Sequence, residues 1–87
     1  MDKPALIDFP CDFPLKIMGA RADGFAQTIA AVVCKHAPEF DPATMTMRPS
    51  RAGNYLALTC VVRATSQAQL DALYAELSAH SMVKVVL

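Results

Sequence analysis

The sequence predicts an α+β fold, a four-stranded antiparallel sheet with two helices on one face. Three observations carry this. Segments 13–19, 44–49 and 55–64 alternate side chains at a period of two, and a further apolar run spans 82–87. Segments 23–36 and 66–79 instead repeat apolar residues at spacings of three and four. The order is therefore β-α-β-β-α-β, and two interleaved right-handed crossovers set the strands in the order 4-1-3-2. This is the ferredoxin-like sandwich.

Residues 1–12 contain Pro4 and Pro10 and read as an extended N-terminal arm, because each proline removes a backbone donor and biases its predecessor away from helix. The single domain then runs over 13–87. In the first strand, Phe13, Leu15 and Ile17 share one side, Lys16 and Met18 the other, and Gly19 ends it. The first helix is expected to start at an Asp23 N-cap. Phe25, Ile29, Val32, Val33 and His36 form its stripe, and Pro38 stops it.

The second strand alternates Thr44, Thr46 and Arg48 against Met45, Met47 and Pro49. Ser50 to Asn54 form a turn with the residues that accept left-handed backbone angles, so strands two and three make a hairpin. Consecutive amides in that turn, with Ser50 and Arg51, also suggest an anion cradle. In the third strand Leu56, Leu58, Cys60 and Val62 oppose Tyr55, Ala57, Thr59, Val61 and Arg63. Ser66 and Gln69 have capping-box spacing, and Leu70, Leu73, Tyr74 and Leu77 make the buried stripe of the second helix. Met82 to Leu87 form the last strand, with Val83 and Val85 towards the helices.

With 87 residues the chain is one domain, and 54% apolar with 18% charged residues excludes disorder. Eight basic and eight acidic residues cancel, which argues against binding driven by net charge. The longest apolar run, Ile29 to Cys34, is far short of the ~20 residues of a membrane span, and no signal peptide is evident, so a cytoplasmic protein is expected. Cys11, Cys34 and Cys60 are an odd, widely spaced set that suits neither a disulfide framework nor a CxxC site. His36 and His80 have no motif partner, and Asp71 and Glu76 lie on different sides of a helix. No enzyme, metal site or cofactor is expected.

The face left open by the helices is the candidate site. The alternation puts Lys16, Met18, Arg48, Tyr55, Arg63, Met82, Lys84 and Val86 there, together with small residues and threonines, and no acid. Ala43 to Leu70 contains no acidic residue at all. Lys16, Arg48, Arg51, Tyr55, Arg63 and Lys84 are thus the candidate docking residues, suited to a protein with an acidic surface. RNA-binding domains of this architecture stack bases on aromatics of the central strands. Tyr55 is the one aromatic on this face and lies at a strand start, so nucleic acid is not expected. Pro49 protects one sheet edge; the Met82–Leu87 edge has Lys84 as its gatekeeper, leaving a monomer or a weak dimer open.

A set of segments carries a family resemblance: Phe9 to Gly19, His36-Ala37-Pro38, Arg48 to Tyr55, and Leu73 to Leu77 with Val85-Val86-Leu87. Together, from about Asp8 to Leu87, they resemble the YbeD-like family of small bacterial proteins of unknown function. The resemblance implies the sandwich derived above. It also implies a likeness to ACT regulatory domains, which bind amino acids and related metabolites. On that likeness the contact region for a small anionic or zwitterionic ligand is Met18, Gly19, Arg21 and Asp23. Two expectations follow: a regulatory or adaptor protein docking through its basic sheet face, or an ACT-like metabolite sensor.

Overall fold

A computed structural model describes residues 8–87. The chain runs β1 (Cys11–Ala20), α1 (Phe25–His36), a short 3-10 helix (Pro42–Thr44), β2 (Thr46–Pro49), β3 (Tyr55–Ala64), α2 (Gln67–Ala79) and β4 (Val83–Val86). The sheet order is β2-β3-β1-β4 with every pair antiparallel, the expected order read from the other edge.

β1 begins at Cys11, two residues inside the expected arm; the rest of that arm up to Ile7 lies outside the described residues. Its ten residues pair with all ten of β3, from Cys11 opposite Ala64 to Ala20 opposite Tyr55. This long central pair fixes the faces. Leu15, Ile17, Leu58, Cys60 and Val62 are buried under the helices. Phe25, Ile29, Val32 and Val33 from α1 and Leu70, Leu73 and Leu77 from α2 complete the core. Each such side chain contributes roughly 1.5–3 kcal/mol by leaving water.

The start of α1 corrects the expected Asp23 cap. Gly24 occupies the cap position with φ 80°, and no side chain caps the helix. A residue at that φ is in the left-handed region, which glycine enters without a Cβ penalty. α2 begins as expected: the Gln69 amide donates to Ser66 Oγ at 3.1 Å. The Gln69 side chain reaches one residue further back than a capping box requires. Its Oε1 accepts from the Thr65 amide at 2.6 Å, and its Nε2 donates to the carbonyls of His36 at 3.0 Å and Arg63 at 3.3 Å. One side chain therefore ties the end of α1, the end of β3 and the start of α2.

β2 starts two residues later than expected. Asp41 Oδ1 accepts from the Ala43 amide at 2.9 Å, which stabilises the 3-10 helix over Pro42–Thr44 instead of strand. Met47 lies opposite buried Leu58 but is 58% exposed, because β2 is a short edge strand whose four residues are all exposed. The faces of β4 also differ from expectation. Ile17 pairs with Val86, Met18 with Val85 and Gly19 with Val83, so the register slips between Met18 and Gly19. Lys84 is the extra residue of a bulge, and the alternation inverts beyond it. Val86 packs on the core, while Val85 is exposed.

The open sheet face and its two charged halves

The registers place the open-face residues in rows across the strands. Thr46, Thr59 and Lys16 form one row, and Arg48, Ala57 and Met18 the next. Ala57 and Thr59 are small, whereas Lys16 and Arg48 rise on the strands to either side. The result is a depression of about 410 Å³ lined by Lys16, Thr46, Met47, Arg48, Ala57 and Thr59. From strand spacing and rise, the Lys16 and Arg48 Cα atoms stand roughly 12 Å apart across it. A smaller hollow of about 160 Å³ adjoins it, lined by Met18, Arg48, Pro49, Ser50, Tyr55 and Ala57. Tyr55 is 42% exposed at its rim. Among the described residues, Lys16, Arg48, Arg51 and Lys84 form no ion pair.

The face is not free of acid, and this corrects the expectation. Because β1 starts at Cys11, Asp12 shares the open side with Lys16. Asp12 Oδ1 accepts from Arg63 Nη1 at 3.1 Å, directly across the β1–β3 pair. Arg63 is therefore neutralised within the chain. Around it, Asp12, Glu39, Phe40, Asp41, Thr44, Val61 and Arg63 line a third hollow of about 380 Å³. The signal for Asp12 was present in the sequence, since positions 12, 14, 16 and 18 share one parity. Glu39 and Asp41 come from the connection after α1, which no strand alternation could place. The face is bipolar: basic towards the β2–β3 hairpin, acidic at the other end. Among the described residues no group of three His, Cys, Asp or Glu side chains is placed to hold a metal ion.

Arg51 is exposed in the turn between β2 and β3, which is held by its own bonds to Ser50. Gly53 N donates to the Ser50 carbonyl at 2.9 Å, and Tyr55 N donates to Ser50 Oγ at 3.1 Å. These bonds close the hairpin between β2 and β3 and occupy the Gly53 and Tyr55 amides. Lys84 sits in the β4 bulge, where it and Val85 together oppose Met18.

The four residues expected for an ACT-like ligand are not assembled. Met18 lines the open-face hollow. Gly19 faces the helices, where a Cβ would come within 2.6 Å of the Phe25 ring. The Arg21 amide donates to the Asn54 carbonyl at 2.9 Å, and its guanidinium lies beside Gly53. Asp23 is exposed before α1.

A second polar cluster lies on the helix layer. His36 Nε2 is 2.7 Å and Lys35 Nζ 3.1 Å from Glu76 Oε1, which links the end of α1 to α2. These bonds hold the Glu76 carboxyl below its ordinary range. Spacing along α2 does not reveal these partners of Glu76, because both come from α1. Tyr74 Oη donates to the Leu87 carbonyl at 3.4 Å, and the Phe13 and Tyr74 rings meet edge to face at 6.5 Å. No helix among the described residues is long and apolar enough to cross a membrane.

The fold has solved counterparts. A protein from Helicobacter pylori, HP0495, matches with a TM-score of 0.76 at 13% identity, covering 98% of this chain and 88% of that one. The ACT domain of the GTP pyrophosphokinase of Chlorobium tepidum matches with a TM-score of 0.67 at 18% identity, covering 88% and 97%. At those identities the likeness is one of fold. In sequence, a UPF0250 protein of Ralstonia nicotianae is 58% identical over 85 residues, which is 98% of this chain and 88% of that protein. Residues 4–87 match the family described as protein of unknown function (DUF493), so the YbeD-like resemblance read from the segments is sound, and the chain belongs to this DUF493 family of small bacterial proteins.

Proposed function

We propose that the protein is a regulatory module without catalytic activity that docks an acidic surface of a protein partner through the basic half of its open sheet face. One observation carries this reading: Lys16 and Arg48 flank a shallow floor of Ala57 and Thr59, and among the described residues neither has an internal counter-ion. A flat, small-residue floor between two cations admits a protein surface, and exposed Tyr55 and half-buried Met18 beside it supply apolar contact. Unpaired exposed cations steer an acidic partner and fix its orientation more than they add raw affinity.

The test compares native-source affinity capture by the wild type with capture by a folded Lys16→Glu/Arg48→Glu variant. A partner with an acidic contact surface, held by the wild type and lost by the variant, supports the reading. A partner held equally by both sinks it. Arg63→Glu is the internal control: because Arg63 is already paired with Asp12, its reversal should matter less.

A second reading has its own observation. About 410 Å³, two cations and the hydroxyls of Thr46 and Thr59 also suit a small anionic metabolite. Its site is the open-face depression, since Phe25 fills the space beside Gly19. The ACT-like neighbour contributes the fold and the precedent of a regulatory domain. Calorimetry against a panel of carboxylates and amino acids tests it; saturable heat abolished by Lys16→Glu/Arg48→Glu favours it over the docking reading.

A further inference from the structure

The two halves of the open face carry opposite charge on one surface. Arg48 stands at one end with Lys16 near the middle of β1, and Asp12, Glu39 and Asp41 stand at the other end, where Arg63 offsets one of them. A surface of this kind is complementary to itself when one copy is turned end for end. We infer that a second copy of this chain occupies the open face, stacked sheet to sheet with strands antiparallel, basic half over acidic half. The inference uses the same face as the docking reading but requires no partner.

The two-fold axis crosses β3 between Thr59 and Val61. At that register Lys16 lies over the other copy's Pro14, and Met18 over its Asp12. Arg48 reaches towards the Glu39 and Asp41 end. Val61, 50% exposed, drops onto the Ala57 and Thr59 floor of the facing depression. The sheets would sit about 10 Å apart and cross at roughly 30°, the usual aligned packing. The parallel alternative stacks the Arg48 end of one copy on that of the other and is repelled.

Size makes the pairing weak. Two strands of ten residues and two of four cover about 450 Å² of flat face per copy. Roughly 900–1,000 Å² for the pair is at the low end for specific interfaces, so association is reversible and sensitive to salt. Pairing also hides the basic half, so an acidic partner and the second copy exclude each other.

Sedimentation velocity on the pure protein tests this. Wild type should move from monomer towards dimer between ~10 μM and ~1 mM and return to monomer in about 0.5 M salt. Arg48→Glu alone and Glu39→Lys alone should each weaken self-association at least ~10-fold, with circular dichroism confirming the fold. An equimolar mixture of the two should regain it, because in the mixed pair positions 48 and 39 again carry unlike charge at both of their contacts. A monomer at all concentrations overturns the inference. So does self-association indifferent to salt and to both variants, or a mixture that stays monomeric. The readout is mass, so it stands whether or not a partner is captured.

Discussion

The ring of Phe25 fills the place where any side chain on Gly19 would have to go. A Cβ there would come within 2.6 Å of one ring carbon and 2.8 Å of another, and would collide with the carbonyl oxygen of Met82. The backbones of β1 and the segment before β4 approach as closely as a glycine allows. Gly19→Ala should therefore destabilise the fold by about 3 kcal/mol, at the upper end for overpacking, since a main-chain carbonyl cannot swing aside like a side-chain tip. Urea denaturation of the variant checks this; a cost below ~0.5 kcal/mol would show that the packing is not as tight as described.

Gln69 should matter more than the N-cap it accompanies. Ser66→Ala loses one cap bond and is expected to cost about 1 kcal/mol. Gln69→Ala releases the Thr65 amide and the His36 and Arg63 carbonyls at once, and should cost about 2 kcal/mol or more. The two midpoints measured side by side decide the ranking.

Glu76 gives a pH signature. Its carboxyl is held below the ordinary value of 4.5 by the bonds from His36 and Lys35. A lowered folded-state value means a stabilisation present above the unfolded value and lost as pH falls through the folded one. Glu76→Gln should be less stable than wild type near neutral pH. The gap should close as pH drops below 4.5, with thermal midpoints across that range as the measurement. A gap that persists unchanged into acid would contradict the assignment.

Cys60 should be silent to thiol reagents in the native protein. It is fully buried, and burial, reinforced by nearby Cys34, pushes its thiol up to about 11. The thiolate is the reactive form, so native labelling at about pH 8 should spare Cys60 and unfolding should release it. Peptide mapping of the label distinguishes it from half-exposed Cys11 and Cys34.

The limits of what sequence could tell lie at identifiable residues. β3 was legible to its ends because period-two alternation runs unbroken from Tyr55 to Ala64. The same alternation misplaced Val85 and Val86, because one bulge at Lys84 inverts parity and leaves no mark in the residue pattern. Asp23 has the chemistry of a cap, but the backbone turns at Gly24 instead. The basic half of the open face was legible from parity alone. Its acidic counterpart was not, since Glu39 and Asp41 arrive by tertiary folding, and Arg63 meets Asp12 because β1 starts at Cys11 and not at Phe13.

The bulge at Lys84 also bears on how the protein can fail. One outer strand is kinked and carries an exposed lysine at the kink; the other ends in Pro49, which has no amide to donate. Neither flank offers the straight, regularly spaced ladder that a growing fibril copies. Partial unfolding of this chain should therefore lead to amorphous precipitate sooner than to ordered cross-β deposits, and stacking across the broad face stops at two copies.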